Sequence, residues 1–391
     1  DIFQLMKVYY ISPSSIPSRK ANSIHVVNMC EGLVQLGHEV ILFCHSNNPK
    51  HKSLHDDIEE YYGVSNKNIK TIPYLSKFDR AIELRIAIKA FLYFMRDMFL
   101  NRLPNYIISR NLYSSLLLAI FLGHQLVYET HSPERGFRRV LQKLLISSSK
   151  VKTVVISNEL RKLMINLYGK NAKNINVFHD AARSGVERLN LLQRKKIQRD
   201  TLLNDISIDN YDSIIGYFGR LYPGRGIEII HGLAKMNSQC LFLVYGGNEE
   251  EINDYRDKNN CNNLIFMGHS SPDKIIFKMK MMDILLMPYQ KNVSIGLKGI
   301  DTSKWMSPMK MFEYMSSGVP IISSDLTVLR EILVNNKNCL LVTPDNIQSW
   351  SDAIFKLNKS KDLSERISNK SYQDYQDKYT WKIRAKRILE L

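Results

Sequence analysis

The stretch Ser307-Pro308-Met309-Lys310-Met311-Phe312-Glu313-Tyr314-Met315-Ser316-Ser317-Gly318-Val319-Pro320, running into Ile321-Ile322, decides the fold. It reads as a helix opening, an acidic residue on that helix, a stop, and an apolar strand. Proline suits the first helical turn, where its missing N–H costs nothing, so Pro308 is expected there with Ser307 as N-cap. Gly318 suits the left-handed position beyond the last turn, and Pro320 keeps the helix from continuing. The open N-terminus of such a helix attracts anions. Glu313 falls about a turn and a half inside it, where one carboxylate can accept from both hydroxyls of a diol.

Working outward, the same helix–strand alternation runs the length of the chain. Strands are expected near residues 214–218, 241–245, 264–267, 284–287, 320–323 and 340–342 in the second half. The first half offers a strand at 8–11, a helix around 23–36, and a turn and strand over 37–43. Further strands are expected at 106–109, 126–128, 153–156 and 176–178. Alternation of this kind predicts parallel βαβ units, hence an α/β chain. With 391 residues, the chain exceeds what one hydrophobic core usually serves, so two domains are expected. They are residues 1–194 and 195–375, each Rossmann-like. The change falls in the basic stretch 183–205, whose Arg194-Lys195-Lys196 is expected to be solvated surface. Residues 376–391, around Trp381, form a closing helix.

Composition narrows the function. Five scattered cysteines, Cys30, Cys44, Cys240, Cys261 and Cys339, lack any C-x-x-C spacing. They argue against a disulfide framework or zinc site and for a reducing, cytoplasmic compartment. No run approaches the ~20 apolar residues of a membrane span. Residues 1–5 precede Met6 and are expected to be peripheral, with no signal peptide. Lys and Arg number 54 against 38 Asp and Glu, a formal charge of +16. That balance favours phosphorylated ligands or anionic membrane surfaces. The spacings of nucleic-acid-binding modules do not accompany it, so no nucleic-acid partner is expected.

Other segments join the first in a recognisable order. These are Gly216-Tyr217-Phe218-Gly219-Arg220-Leu221-Tyr222-Pro223-Gly224-Arg225-Gly226, then Val244-Tyr245-Gly246-Gly247, Phe266-Met267-Gly268-His269, Asp283 to Tyr289, and Leu329-Arg330-Glu331-Ile332. Across roughly residues 213–345, the ordered set resembles retaining GT-B glycosyltransferases of the family 4 type. The Ser-Pro-Met-Lys variant is similar to a bacterial surface-polysaccharide subgroup. The resemblance implies two Rossmann-like domains facing a central cleft, with the final helix crossing back to the first. It also implies a nucleoside diphosphate sugar (UDP- or GDP-linked) as donor and a glycan or lipid-linked acceptor. No cofactor and no metal are expected, for the chain lacks the Asp-x-Asp cluster with which many other transferases hold a divalent ion.

Roles carry over by position. Arg220 and Arg225 match the family's diphosphate-binding cations, which would neutralise the leaving group. Glu313 matches the ribose-binding acid. Gly219, Gly246, Gly247 and Gly268, with Ser307, Met309 and Lys310, are expected donor contacts. His131, after the strand bearing Glu129, matches a histidine near the acceptor and the transferred sugar, and Glu129 is expected to orient it and to contact the acceptor. Asn22 and Ser23 stand where the family often has paired glycines and are candidate acceptor contacts. One departure matters: the family's first acid falls on Trp305. It keeps open a catalytically inactive nucleotide-sugar-binding protein; a nucleotide-sugar epimerase or hydrolase of the same fold is the other alternative.

Residues 80–102 are amphipathic at helical period. Leu84, Ile88, Phe91, Met95 and Met98 form one stripe, expected to pack on the first domain. Arg85, Lys89 and Arg96 lie away from it, and Arg138, Arg139 and Lys143 extend the basic character. The alternative for this segment is peripheral docking to anionic lipid at the inner face of the cell membrane.

Overall fold

The computed structural model describes residues 5–46, 54–64, 68–76, 81–202, 208–256, 260–270, 272–293 and 301–391. Arg80, counted above in the amphipathic segment, lies outside them. The chain divides into two compact units, Asp1–Asp180 with Thr380–Leu391, and Ala181–Tyr379.

The first unit holds seven strands: β1 (Lys7–Ser15), β2 (Glu39–Ser46), β3 (Ile69–Leu75), β4 (Tyr106–Ser109), β5 (Leu126–Thr130), β6 (Val151–Val155) and β7 (Ile175–Val177). They pair in the order β3-β2-β1-β4-β5-β6-β7, all parallel. The second unit holds β8 (Ser213–Phe218), β9 (Cys240–Tyr245), β10 (Leu264–Gly268), β11 (Ile284–Met287), β12 (Ile321–Ser324) and β13 (Leu340–Val342). Their order is β10-β9-β8-β11-β12-β13, again all parallel. Both sheets are therefore Rossmann-like, as the alternation predicts. Strand β3 was not anticipated. Lys70, Thr71 and Pro73 interrupt its apolar pattern, and a sheet edge is where a strand tolerates proline.

Buried parallel strands send successive side chains to opposite faces, so each sheet needs a core on both sides. In β8, Ile214 and Phe218 enter one core with Tyr314 and Met315, whereas Ile215 and Tyr217 enter the other with Ile230 and Trp350. The helices used below are α1 (Ala21–Val34), α2 (Ile82–Phe99), α3 (Phe137–Ile146), α4 (Leu191–Leu202), α5 (Met309–Ser317) and α6 (Trp381–Leu389).

Two boundaries differ from expectation. The units meet at Asp180/Ala181 and not near residue 195, because the basic stretch packs on the second unit. Arg188 Nε and Arg194 Nη2 both donate to the Gly318 carbonyl, at 3.4 and 3.2 Å. Arg194 is buried and Lys195 pairs with Asp283 at 3.0 Å, so these two are structural and not a merely solvated face. In α5, Pro308 is itself the N-cap (φ −73°, ψ 118°) and Ser307 lies one residue outside, so no side chain caps the helix. Gly318 takes the left-handed C-terminal position at φ 68°, as expected.

The amphipathic segment is turned over. Helix α2 buries Ile86, Ala87, Ala90, Phe94 and Asp97, while Leu84, Ile88 and Met98 of the predicted inward stripe are exposed. Small Ala87 and Ala90 let the other arc sit close to the sheet. Asp97 can be buried because Tyr9 donates to it at 2.5 Å and Lys7 pairs with it. All five cysteines are free. Among the described residues, no helix is long and apolar enough to cross a membrane.

Candidate functional site

In an open parallel sheet, ligands bind beyond the carboxyl ends of the strands where the strand order reverses. In the second unit that point lies between β8 and β11. The residues expected to hold the donor gather there. Beyond β8 comes the loop from Gly219 to Gly226, then the helix Ile227–Met236 with Gly226 as its N-cap. Gly226 has φ 83°, and a Cβ on it would fall 2.0 Å from the Pro288 carbonyl oxygen. Gly246 (φ 120°) packs against Gly219 as closely, its absent Cβ 2.0 Å from that carbonyl. Only glycine permits either approach. Gly247 and Gly268 also have positive φ, and the Gly268 carbonyl accepts from the Gly246 N–H at 2.7 Å.

Arg225 leans on Tyr289, donating to its hydroxyl at 2.9 Å with its guanidinium 5.1 Å from the ring centroid. Its buried Nε has no hydrogen-bond partner. Arg220 is exposed; its backbone carbonyl accepts from the Tyr217 hydroxyl, and its guanidinium makes no hydrogen bond among the described residues. On α5, Met309 is the first helical residue and Lys310 the second. The Lys310 Nζ lies 4.1 Å from the Tyr217 ring centroid, and a Cβ on Gly219 would stand 3.1 Å from it. Glu313 makes no side-chain hydrogen bond among the described residues. Burial raises its pKa, against the pull of Arg183 and Lys310. Trp305 sits in the turn before α5. The structure thus brings Gly219, Arg225, Lys310 and Glu313 together, with the Arg225 Nε and the Glu313 carboxylate unbonded among the described residues.

The first unit builds a second cluster at the carboxyl end of β5. Glu129, fully buried, accepts from His131 Nε2 at 2.9 Å and from Arg384 Nη1 at 3.1 Å. His25 Nε2 lies 2.7 Å from the same carboxylate, and its Nδ1 is 3.0 Å from Asp180. Burial alone would raise Glu129, but Arg384 and His25 outweigh it and hold it well below the ordinary carboxylate range. A carboxylate only accepts, so His131 carries its proton on Nε2 and accepts from Arg110 Nη2 on Nδ1, at 3.2 Å. Burial and then Arg110 push the imidazole down to about 4. His131 is therefore a neutral imidazole at neutral pH, with its Nε2 held against Glu129.

Of the other two candidates, Ser23 is buried with its hydroxyl donating to the Ser15 carbonyl at 2.8 Å. It is a helix-anchoring residue here. Asn22 is exposed beside it, its carbonyl 3.4 Å from Arg110 Nη1. Sequence reasoning missed His25, Arg110, Asp180 and Arg384. The one available signal was a histidine and an arginine falling on apolar helix faces. Among the described residues, His25, His131 and Asp180 are the one group whose ligand atoms lie within 4.8 Å of one another. Arg110 and Arg384 crowd this cluster with positive charge, and His25 Nδ1 and His131 Nε2 are already bonded. The set suits shared protons better than a cation.

Comparison with known proteins identifies the architecture. The structure of Anabaena HepE in complex with UDP and glucose superposes with a TM-score of 0.69, covering 98% of both chains at 14% identity. At that identity the likeness defines the class of fold, which is GT-B. Residues 23–181 match "Glycosyltransferase Family 4" and residues 198–374 match "Glycosyl transferases group 1". The chain carries both glycosyltransferase domains in tandem. One relative is an uncharacterized glycosyltransferase of Methanocaldococcus jannaschii, 21% identical over 61% of this chain and 58% of its own length. Another is the poly(ribitol-phosphate) alpha-N-acetylglucosaminyltransferase of Staphylococcus aureus, 22% identical over 50% of this chain and 39% of its own. The chain thus spans only about half the length of these relatives, or less.

Proposed function

We propose that this chain transfers a sugar from a nucleoside diphosphate, UDP- or GDP-linked, to a glycan or lipid-linked acceptor, with retention and without a metal. The observation that carries this reading is the set of groups at the β8/β11 switch point that have no side-chain partner among the described residues. Arg220 and the Nε of Arg225 are donors suited to a diphosphate, and the Glu313 carboxylate is an acceptor suited to a ribose diol. The close packing of Gly246 on Gly219 fixes the loop after β8, and the absence of a side chain at Gly219 lets a phosphate approach its backbone. Departure of the nucleoside diphosphate adds negative charge, which two permanently charged guanidiniums can neutralise without a divalent ion. In the first unit, His131 is kept neutral and fixed in one tautomer. It presents to an acceptor or to the transferred sugar a group that neither repels cations nor loses orientation.

The reading includes peripheral attachment to anionic lipid at the cytoplasmic face of the membrane. Its support is the outer surface of α2 and α3, joined by the Arg138–Glu83 ion pair at 2.8 Å. Leu84, Ile88, Phe99 (79% exposed), Phe137 (75%) and Val140 stand in solvent there beside Arg85, Arg139 and Lys143. Bulky apolar groups ringed by bases suit the boundary between headgroups and acyl chains.

The deciding experiment incubates the protein with a panel of UDP- and GDP-sugars, with and without glycan acceptors, in excess EDTA. Acceptor-dependent glycoside of retained anomeric configuration is expected. Acceptor-independent release of sugar, or interconversion of donors, would replace this reading with a hydrolase or epimerase. Donor binding without turnover would leave a nucleotide-sugar-binding protein. Strict dependence on magnesium or manganese would remove the arginines from their role.

A further inference from the structure

Both ring nitrogens of His131 are engaged within the first unit. Nε2 donates to Glu129 at 2.9 Å, and Nδ1 accepts from Arg110 Nη2 at 3.2 Å. A neutral imidazole has one donor and one acceptor, so in this state the ring has nothing left for a ligand. The bond to Glu129 is anchored, since that buried carboxylate is also held by Arg384 at 3.1 Å. The bond to Arg110 is the one that can be exchanged.

Arg110 follows β4 directly, at the carboxyl end of the sheet, where the strand order of this unit reverses between β1 and β4. Its side chain is only 10% exposed, and a cation so far removed from water ordinarily has an anion against it. Arg110 has none at hydrogen-bond distance among the described residues. The nearest carboxylate oxygen, Glu129 Oε1, stands 3.9 Å from its Nε and is already 2.9 Å from His131 and 2.7 Å from His25. Its hydrogen bonds go to two neutral acceptors, the His131 lone pair and, at 3.4 Å, the Asn22 carbonyl. Buried Arg384, in contrast, donates to the Glu129 carboxylate and to two backbone carbonyls. Nor does the neighbouring first turn of α1 supply an anion: it holds no acid, and exposed Arg19 and Lys20 precede it.

We propose that Arg110 recognises an anionic group, a phosphate or a carboxylate, carried by the acceptor, and that its move onto that group uncovers Nδ1 of His131 for an acceptor hydroxyl. A guanidinium grips a pair of charged oxygens more strongly than a single imidazole nitrogen, so the exchange favours the ligand. The Nε2 proton stays on Glu129, and the uncovered Nδ1 accepts from the hydroxyl. Departure of Arg110 from the ring also removes a positive charge that disfavours protonation of His131, which makes Nδ1 a better acceptor. A ligand carrying only the hydroxyl finds the nitrogen covered. This inference rests on the reading that the first unit takes the acceptor, and it narrows that acceptor to an anionic one.

The test follows the His131 ring by NMR in the intact protein carrying isotopically labelled histidine, its signals assigned through His131→Gln. At neutral pH and matched ionic strength the probes are inorganic phosphate, glucuronate and, as the neutral counterpart, glucose. Phosphate, glucuronate or both should move the Nδ1 signal saturably, while Nε2 stays protonated and glucose leaves the ring unchanged. The tighter of the two tells phosphate from carboxylate. Arg110→Gln should show the moved Nδ1 signal without ligand, titrate above the wild-type value of about 4, and respond to neither anion. No saturable change with either anion in wild type, an equal change with glucose, or an undiminished response in Arg110→Gln overturns the proposal. If Arg110→Gln does not fold, the wild-type titrations decide by themselves. The readout needs no donor and no turnover, so failure here leaves the transferase reading standing, and absence of transfer leaves this result readable.

Discussion

Glu313 shows how a single residue can be committed to something outside the chain. Its carboxylate is partly buried, is raised by that burial, and accepts no hydrogen bond from the described residues. A folded protein rarely leaves such an acceptor unsatisfied unless another partner completes it. Glu313→Gln keeps the shape and removes the charge, so affinity for the nucleotide is expected to weaken by about 1.5–3 kcal/mol. Calorimetry would show this directly, and unchanged binding would take Glu313 out of the site. His131 gives a second residue-scale expectation. It titrates at about 4 in the fold against 6.5 unperturbed, so the unfolded chain binds its proton first. Stability from this residue is whole above pH 6.5, falls as pH drops toward 4, and levels off below. Glu129 and Asp180, both lowered, continue the loss in the same direction at lower pH. The denaturation midpoint of His131→Gln should therefore depend less on pH between 6.5 and 4 than that of wild type. Parallel slopes would show that His131 is not the titrating group.

At the scale of elements, α2 shows two apolar arcs competing for one sheet. Leu84, Ile88 and Met98 make the more obvious stripe, yet Ile86, Ala90 and Phe94 win the interior. Alanines let the helix approach, and Asp97 is drawn in by Tyr9 and Lys7. The losing arc remains exposed beside α3. If that surface meets lipid, replacing Arg85, Arg139 and Lys143 with Glu should weaken sedimentation with anionic vesicles. Binding by wild type should also fall with salt, since surface attraction is screened beyond ~8 Å at physiological ionic strength. Activity on a water-soluble acceptor should be retained. Equal sedimentation with neutral and anionic vesicles, or none with either, would reduce the surface to a wet helix face.

For the whole molecule, the notable fact is that the last twelve residues, Thr380–Leu391, belong to the first unit. Helix α6 lies so close to α1 that a Cβ on Gly32 would sit 2.6 Å from the Trp381 carbonyl oxygen. Arg384 reaches from it into the buried cluster, donating to Glu129 and to the carbonyls of His179 and Phe178. Glu129 is charged only because that guanidinium and His25 accompany it. Arg384→Met should cost about 3–5 kcal/mol, the usual consequence of leaving one member of a buried ion pair alone. Urea denaturation would measure it, and a change below 1 kcal/mol would mean that His25 suffices. The same variant should shift the His131 titration, because Glu129 would no longer be held ionised.

Much of this protein was legible in its residues. Short, nearly continuous apolar runs separated by helix-length segments specify parallel α/β sheets, because strand preference and helix capping are local. Twelve of the thirteen described strands could be placed in this way, and the exception, β3, is an edge strand whose apolar pattern is broken by Lys70, Thr71 and Pro73. The loop glycines, Arg220, Arg225 and Glu313 could be named as candidates because the strand–loop–helix and helix–strand motifs that carry them are local in sequence. Tertiary structure alone decided the rest. It selected which arc of α2 is inside, carried residues 183–194 to the second unit through the Gly318 carbonyl, and enclosed Lys310 in tyrosines from three elements. It also brought His25, Arg110, Asp180 and Arg384 to Glu129. Those contacts join residues as much as 255 positions apart, and their charges depend on burial, which no local pattern of residues records.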